Sequence, residues 1–170
     1  RGLLVLARKS VQVADWFFYA NADEGTTVFT RSGLRGSNST NFPRLPVFDA
    51  FAAFMQLVGN QSFLGVAAER TDLYAYLLGP VNASTSAATH LVAWQPVAAG
   101  DGPDEPVVAA SLSLARSPVA AWRVSGAGSV SVSLSSVVQM ASSSPSGNTW
   151  TLQVSAVPLV IQLAPQQPAV

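Results

Sequence analysis

From Ser62 to Leu163 the chain is a succession of short β-prone runs, each closed by residues that turn the backbone, and this rhythm limits the fold more than any other feature. The predicted strands are Ser62–Ala67, Asp72–Leu78, Thr89–Gln95, Val107–Leu114, Val119–Val124, Ser129–Leu134, Val137–Met140, Thr149–Ser155 and Pro158–Leu163. Residues 73–77 (LYAYL) and 150–154 (WTLQV) alternate, as strands with one buried and one wet face should. Ser alternates with Val and Leu over 129–134 in the same sense. Turn clusters separate the runs: Gly79-Pro80, residues 100–103 (GDGP), residues 125–128 (SGAG) and residues 142–147. Many short strands at regular spacing predict a mainly β fold, an antiparallel β-sandwich.

Charge divides the chain differently. Thirteen of its eighteen charged residues fall in 1–72, and none follows Arg123. Two parts are therefore expected, residues 1–59 and residues 60–170, with the boundary near Gly59-Asn60. The first reads as α/β. Residues 2–9 (GLLVLARK) suit the end of a helix, with Arg8 and Lys9 at the negative pole of its dipole. Val11 to Tyr19 (VQVADWFFY) reads as a buried strand, and residues 21–41 as a long loop. A second helix is expected from Pro46 to Val58, with Pro46 in its first turn and Gly59 as its stop. Phe48, Phe51, Ala52, Met55 and Val58 recur at three and four and predict its apolar stripe.

Composition excludes several functions. Net charge is zero, which leaves no electrostatic case for nucleic acid or an anionic membrane. No cysteine is present, so disulfides, thiolate metal sites and cysteine nucleophiles are out. No run of about 18 apolar residues occurs, so no membrane span is expected. Three sequons, at Asn38, Asn60 and Asn82, flank or separate apolar runs and are candidate N-glycosylation sites, against the plainer reading of three polar loops. They point to a secreted or cell-surface protein. No leader opens the chain, which begins at Arg1, so that reading expects an upstream segment.

The order of elements adds a resemblance. A helix end, the aromatic strand 13–19 (VADWFFY), a loop, the Phe-rich helix 46–54 (PVFDAFAAF) and then 62–65 (SFLG) entering a β region is similar to the C-terminal end of many glycoside hydrolases. Residues 72–77 (DLYAYL), 91–94 (LVAW), 149–155 (TWTLQVS) and 158–163 (PLVIQL) resemble strands of the accessory sandwich in those enzymes. The resemblance implies that residues 1–59 are the last strand and helix of a (β/α)8 barrel, and that the partner is an upstream barrel segment or a second chain. It also implies that the two catalytic carboxylates lie upstream, because retaining barrel enzymes of this type carry them on strands four and seven. This chain would then contribute no catalytic residue. Loops after barrel strands face the active site. Trp16, Tyr19, Asn21, Asp23 and Glu24 are thus candidates to line a sugar subsite, the alternative being a buried strand and a solvated turn.

Other chemistry is weaker. Asp101, Asp104 and Glu105 form an acidic cluster interrupted by Pro103, which favours a solvated loop over a calcium site. His90 is the only histidine, so no multi-histidine metal site exists, and no Gly-x-Ser-x-Gly elbow supports a triad. No metal or cofactor is expected. Trp94, Trp122 and Trp150 read as core residues, with a carbohydrate platform as the alternative. Gly126 and Gly128 lack the strand-to-helix context of a phosphate loop. Two functions remain: the non-catalytic end of a secreted glycoside-hydrolase-like protein, or a non-enzymatic extracellular module that binds glycan or builds matrix.

Overall fold

Each of the nine β-prone runs forms a strand in the computed structural model, which describes residues 2–9, 20–21, 33–96, 107–144 and 147–165. The strands are β1 (Ser62–Glu69), β2 (Tyr74–Gly79), β3 (His90–Trp94), β4 (Val108–Leu114), β5 (Pro118–Ser125), β6 (Gly128–Val132), β7 (Val138–Ser144), β8 (Gly147–Val154) and β9 (Leu159–Leu163). They pair antiparallel in two sheets, one of six strands in the order β1-β2-β3-β9-β5-β6 and one of three in the order β4-β8-β7. The described chain is mainly β.

The two sheets send their inward residues into one apolar cluster. Leu73, Ala75, Leu91, Ala93, Leu159 and Ile161 come from the six-stranded side, and Leu112, Leu114, Trp150, Leu152 and Val154 from the three-stranded side. The opposite face of the six-stranded sheet is apolar too. Tyr76, Leu78, Val92, Trp94, Val124 and Val160 form a second cluster there, closed by Leu4 of α1 (Gly2–Arg8) and by Ala53 and Val58 of α2 (Pro46–Val58). Adjacent residues such as Val160 and Ile161 thus point into different cores, because strand side chains alternate.

Three details differ from the sequence reading, each for a physical reason. The Ser-rich stretch after β6 contains a short helix, α3 (Leu134–Val137). The Ser136 hydroxyl donates to the Ser133 carbonyl at 2.7 Å, a local bond that competes with sheet pairing. Strand β7 continues through the expected turn cluster, pairing Ser142 with Thr149 and Ser143 with Asn148, because β8 imposes its register. The third detail is the inward face of α2. It is Ala50, Ala53, Phe54, Leu57 and Val58, at helical spacing, and shares only Val58 with the predicted stripe. Phe51 and Met55 of that stripe are 37% and 43% exposed. Nearly every position of α2 is apolar, so periodicity alone defined two faces and could not choose between them. The predicted strand from Val11 to Tyr19 lies outside the described residues.

Candidate functional site

Strands β1 and β2 are joined by a two-residue turn, Thr71-Asp72, closed by reciprocal backbone bonds between Arg70 and Leu73 (2.8 and 3.3 Å). The Arg70 guanidinium fixes this turn from its side chain. It donates from Nε to Asp72 Oδ1 at 2.9 Å and from Nη2 to Asp72 Oδ2 at 3.2 Å, and Nη2 also reaches the Ser111 carbonyl at 3.1 Å. That fork holds the Asp72 carboxyl below the ordinary carboxylate range and raises Arg70 in turn.

Beside the turn lies an open cleft of about 510 Å³, lined by Glu69, Arg70, Thr71, Tyr74 and Pro96. Tyr74 is half-buried, and its ring is braced from below. It stacks on Tyr76 with centroids 6.2 Å apart and meets Trp94 edge-on at 5.6 Å. Tyr76 and Trp94 are buried and in contact at 5.1 Å. Glu69 faces α1 as well as the cleft. Its Oε2 accepts from Arg8 Nε at 3.0 Å and its Oε1 from the Tyr76 hydroxyl at 3.4 Å. Burial and then the Glu69 charge push the Tyr76 phenol upward, so it stays a donor.

Of the five residues expected to line a sugar subsite, Trp16, Tyr19, Asp23 and Glu24 lie outside the described residues. Asn21 is buried, and its Oδ1 accepts from the Gly33 backbone amide at 2.9 Å while its own backbone N–H donates to the Arg35 carbonyl at 2.9 Å. A Cβ at Gly33 would stand 2.4 Å from the Asn21 nitrogen, so glycine permits this close crossing. Asp101, Asp104 and Glu105 are also outside the described residues.

The sequon asparagines Asn38, Asn60 and Asn82 are all exposed. Asn38 opens a single 3-10 turn (Asn38–Thr40), Asn60 lies between α2 and β1, and Asn82 takes a left-handed φ of 62° beyond β2. Ser62 pairs with Gly79, which puts Asn60 and Asn82 at one end of the β1–β2 pair. The cleft is at the other end, about 23 Å away by strand rise.

Trp94 and Trp150 are core residues, 3% and 8% exposed, and Trp122 is half-buried against the helix-side cluster. Gly126 and Gly128 belong to the β5–β6 hairpin turn, where Gly128 takes a φ of 98°. A Cβ at Gly126 would stand 2.4 Å from Pro46, so the turn presses directly on the start of α2. His90 opens β3 and contacts the Thr89 hydroxyl at 3.0 Å; burial lowers its basicity. Among the described residues, no three His, Cys, Asp or Glu side chains are grouped to hold a metal. No described helix is long and apolar enough to cross a membrane.

The residues that sequence reasoning missed are Glu69, Arg70, Thr71 and Tyr74. The signal for them was present: a charged, turn-forming tetrad (residues 69–72, ERTD) set between two apolar runs and followed by an aromatic one residue into the next strand. No family model, curated protein or solved structure matches this chain.

Proposed function

We propose that the chain is the non-catalytic, C-terminal portion of a secreted glycoside-hydrolase-like protein, a short α/β segment completing a barrel wall followed by an antiparallel β-sandwich packed beside it. The observation that carries this reading is the second face of α2. Val47, Phe51 and Met55 are 39%, 37% and 43% exposed and stand at successive helical turns. Asp49 is the only charge on this helix. Phe48 on the same side is covered by the guanidinium groups of Arg35 and Arg44, 5.5 and 4.9 Å from its ring. A helix apolar all round belongs inside a larger structure, and helix eight of a barrel is in that position.

The local carboxylates support the non-catalytic part of the reading. Glycoside hydrolysis needs one carboxylic acid held protonated by a raised pKa, opposite a second carboxylate. Asp72 is shifted the other way by Arg70, and Glu69 is engaged by Arg8 and Tyr76.

The second reading, a self-standing extracellular module, is favoured by a different observation. Helices α1 and α2 close a core on this chain's own sheet. Peptide sequencing by mass spectrometry of the protein from its source separates the two. Peptides running directly upstream of Arg1, or a larger partner in equal amount, are expected on the first reading. A single species near 17.7 kDa plus glycan would overturn it in favour of the second. Both readings place the chain in the secretory route. Peptide-N-glycosidase in ¹⁸O water should therefore convert at least one of Asn38, Asn60 and Asn82 to labelled aspartate, and three unmodified asparagines would argue against secretion.

A further inference from the structure

We propose that the cleft at the β1–β2 turn is a subsite for a neutral sugar, a binding site carried by the β-sheets of this chain. The floor is an aromatic ring whose orientation is set before a ligand arrives. Tyr74 stacks on Tyr76 and abuts Trp94, both buried, so little side-chain freedom remains to be lost on binding. Such a ring offers its face to the C–H side of a pyranose, and Pro96 extends the apolar surface.

The walls are planar polar groups that suit paired hydroxyls. Glu69 keeps carboxylate lone pairs beyond the two used by Arg8 and Tyr76. The bonds of Arg70 to Asp72 and Ser111 engage Nε and Nη2, and its Nη1 hydrogens remain to donate to a ligand. The Thr71 hydroxyl adds a group that both donates and accepts. A few convergent polar groups over an apolar floor are the usual makeup of a small-molecule site.

Charge selects the ligand class. Arg8 is paired with Glu69 and Arg70 with Asp72, so two cations meet two anions around the cleft. Among the described residues, an acidic sugar, a sulfated chain or a phosphate would find no surplus positive charge in these pairs, and a cationic ligand no surplus negative one. A neutral polyhydroxylated ring needs neither.

Affinity electrophoresis of the full chain tests this. The probes are neutral polysaccharides (β-glucan, xyloglucan, galactomannan) and anionic ones (polygalacturonate, heparin). Retardation by at least one neutral polysaccharide is expected, weakened about tenfold or more by Tyr74→Ala. Because Tyr74 also packs against the core, Thr71→Arg is the companion variant: it sits on an exposed turn and fills the cleft without touching the interior. Retardation by none of the neutral polymers, retardation only by the anionic ones, or unchanged retardation in Thr71→Arg would each overturn the assignment. The outcome is independent of whether a barrel precedes this chain, since both species carry the same turn.

Discussion

The six-stranded and three-stranded sheets differ in how many faces they bury, and the difference is written in their strands. In β3 (HLVAW) and β9 (LVIQL) nearly every residue is buried, because one face meets the other sheet and the opposite face meets the helices. In β4 (VAASLSL) burial strictly alternates, with Ala110, Leu112 and Leu114 inward and Ala109, Ser111 and Ser113 outward. Continuous apolar runs therefore mark a sheet covered twice, and alternation marks a sheet with a wet face. The loss of charge after Arg123 belongs to the same contrast, since the outer face of the three-stranded sheet is wetted by Ser and Thr rather than by ions.

Neighbouring truncations in the two central strands would break this contrast if it is wrong. In β9, Val160→Ala and Ile161→Ala should both destabilise, by about 2 and about 3 kcal/mol, since each residue is fully buried in its own core. In β8, Leu152→Ala should cost about 3 kcal/mol, while Thr151→Ala stays within about 0.5 kcal/mol. Urea unfolding of the four variants measures this directly. A neutral Val160→Ala beside a costly Ile161→Ala would mean that the helices do not cover their face of the sheet.

How much of this was legible beforehand follows from the same physics. All nine strands could be read because turn chemistry and β-branched runs are local signals. The pairing order could not, since β9 lies between β3 and β5, far from either in sequence. The inward face of α2 was misjudged because Phe51 and Phe54 are equally apolar, and only the position of the sheet distinguishes them. The cleft was missed for a related reason. Tyr74 and Trp94 are directly opposite partners across β2 and β3, a pairing that exists only once the register is known.

The contact between the sheets can be sharpened at Arg123. This residue lies on β5 of the larger sheet, yet Nη2 donates to the Gln153 carbonyl on β8 at 2.9 Å and Nη1 to the Ser155 hydroxyl at 3.1 Å. Burial lowers its pKa, although the group keeps its charge. Arg123→Met preserves the stem and removes the donors. It should destabilise by about 2 kcal/mol, as expected for hydrogen bonds from a charged group. A neutral or stabilising result would show that these two hydrogen bonds do not help join the sheets.

The smallest expected effect is a pH dependence confined to the larger sheet. The strands of the smaller sheet contain no titratable side chain, whereas His90 lies half-buried at the start of β3, paired across to Leu78 and Gln162. Desolvation lowers its pKa from the ordinary value near 6.5. Folded His90 therefore takes up its proton less readily than the unfolded chain does. Its contribution to stability is complete above about pH 6.5, declines as the pH falls through that value, and levels off below the folded-state pKa. Comparing melting temperatures at about pH 7.5 and about pH 5.5 should show a loss in the wild type of a degree or two, reduced in His90→Gln. An equal loss in the variant would move the acid sensitivity away from β3. The surface pair Arg70–Asp72 is not the source on this account, because a carboxyl held below its ordinary range by an arginine stays ionised across that interval.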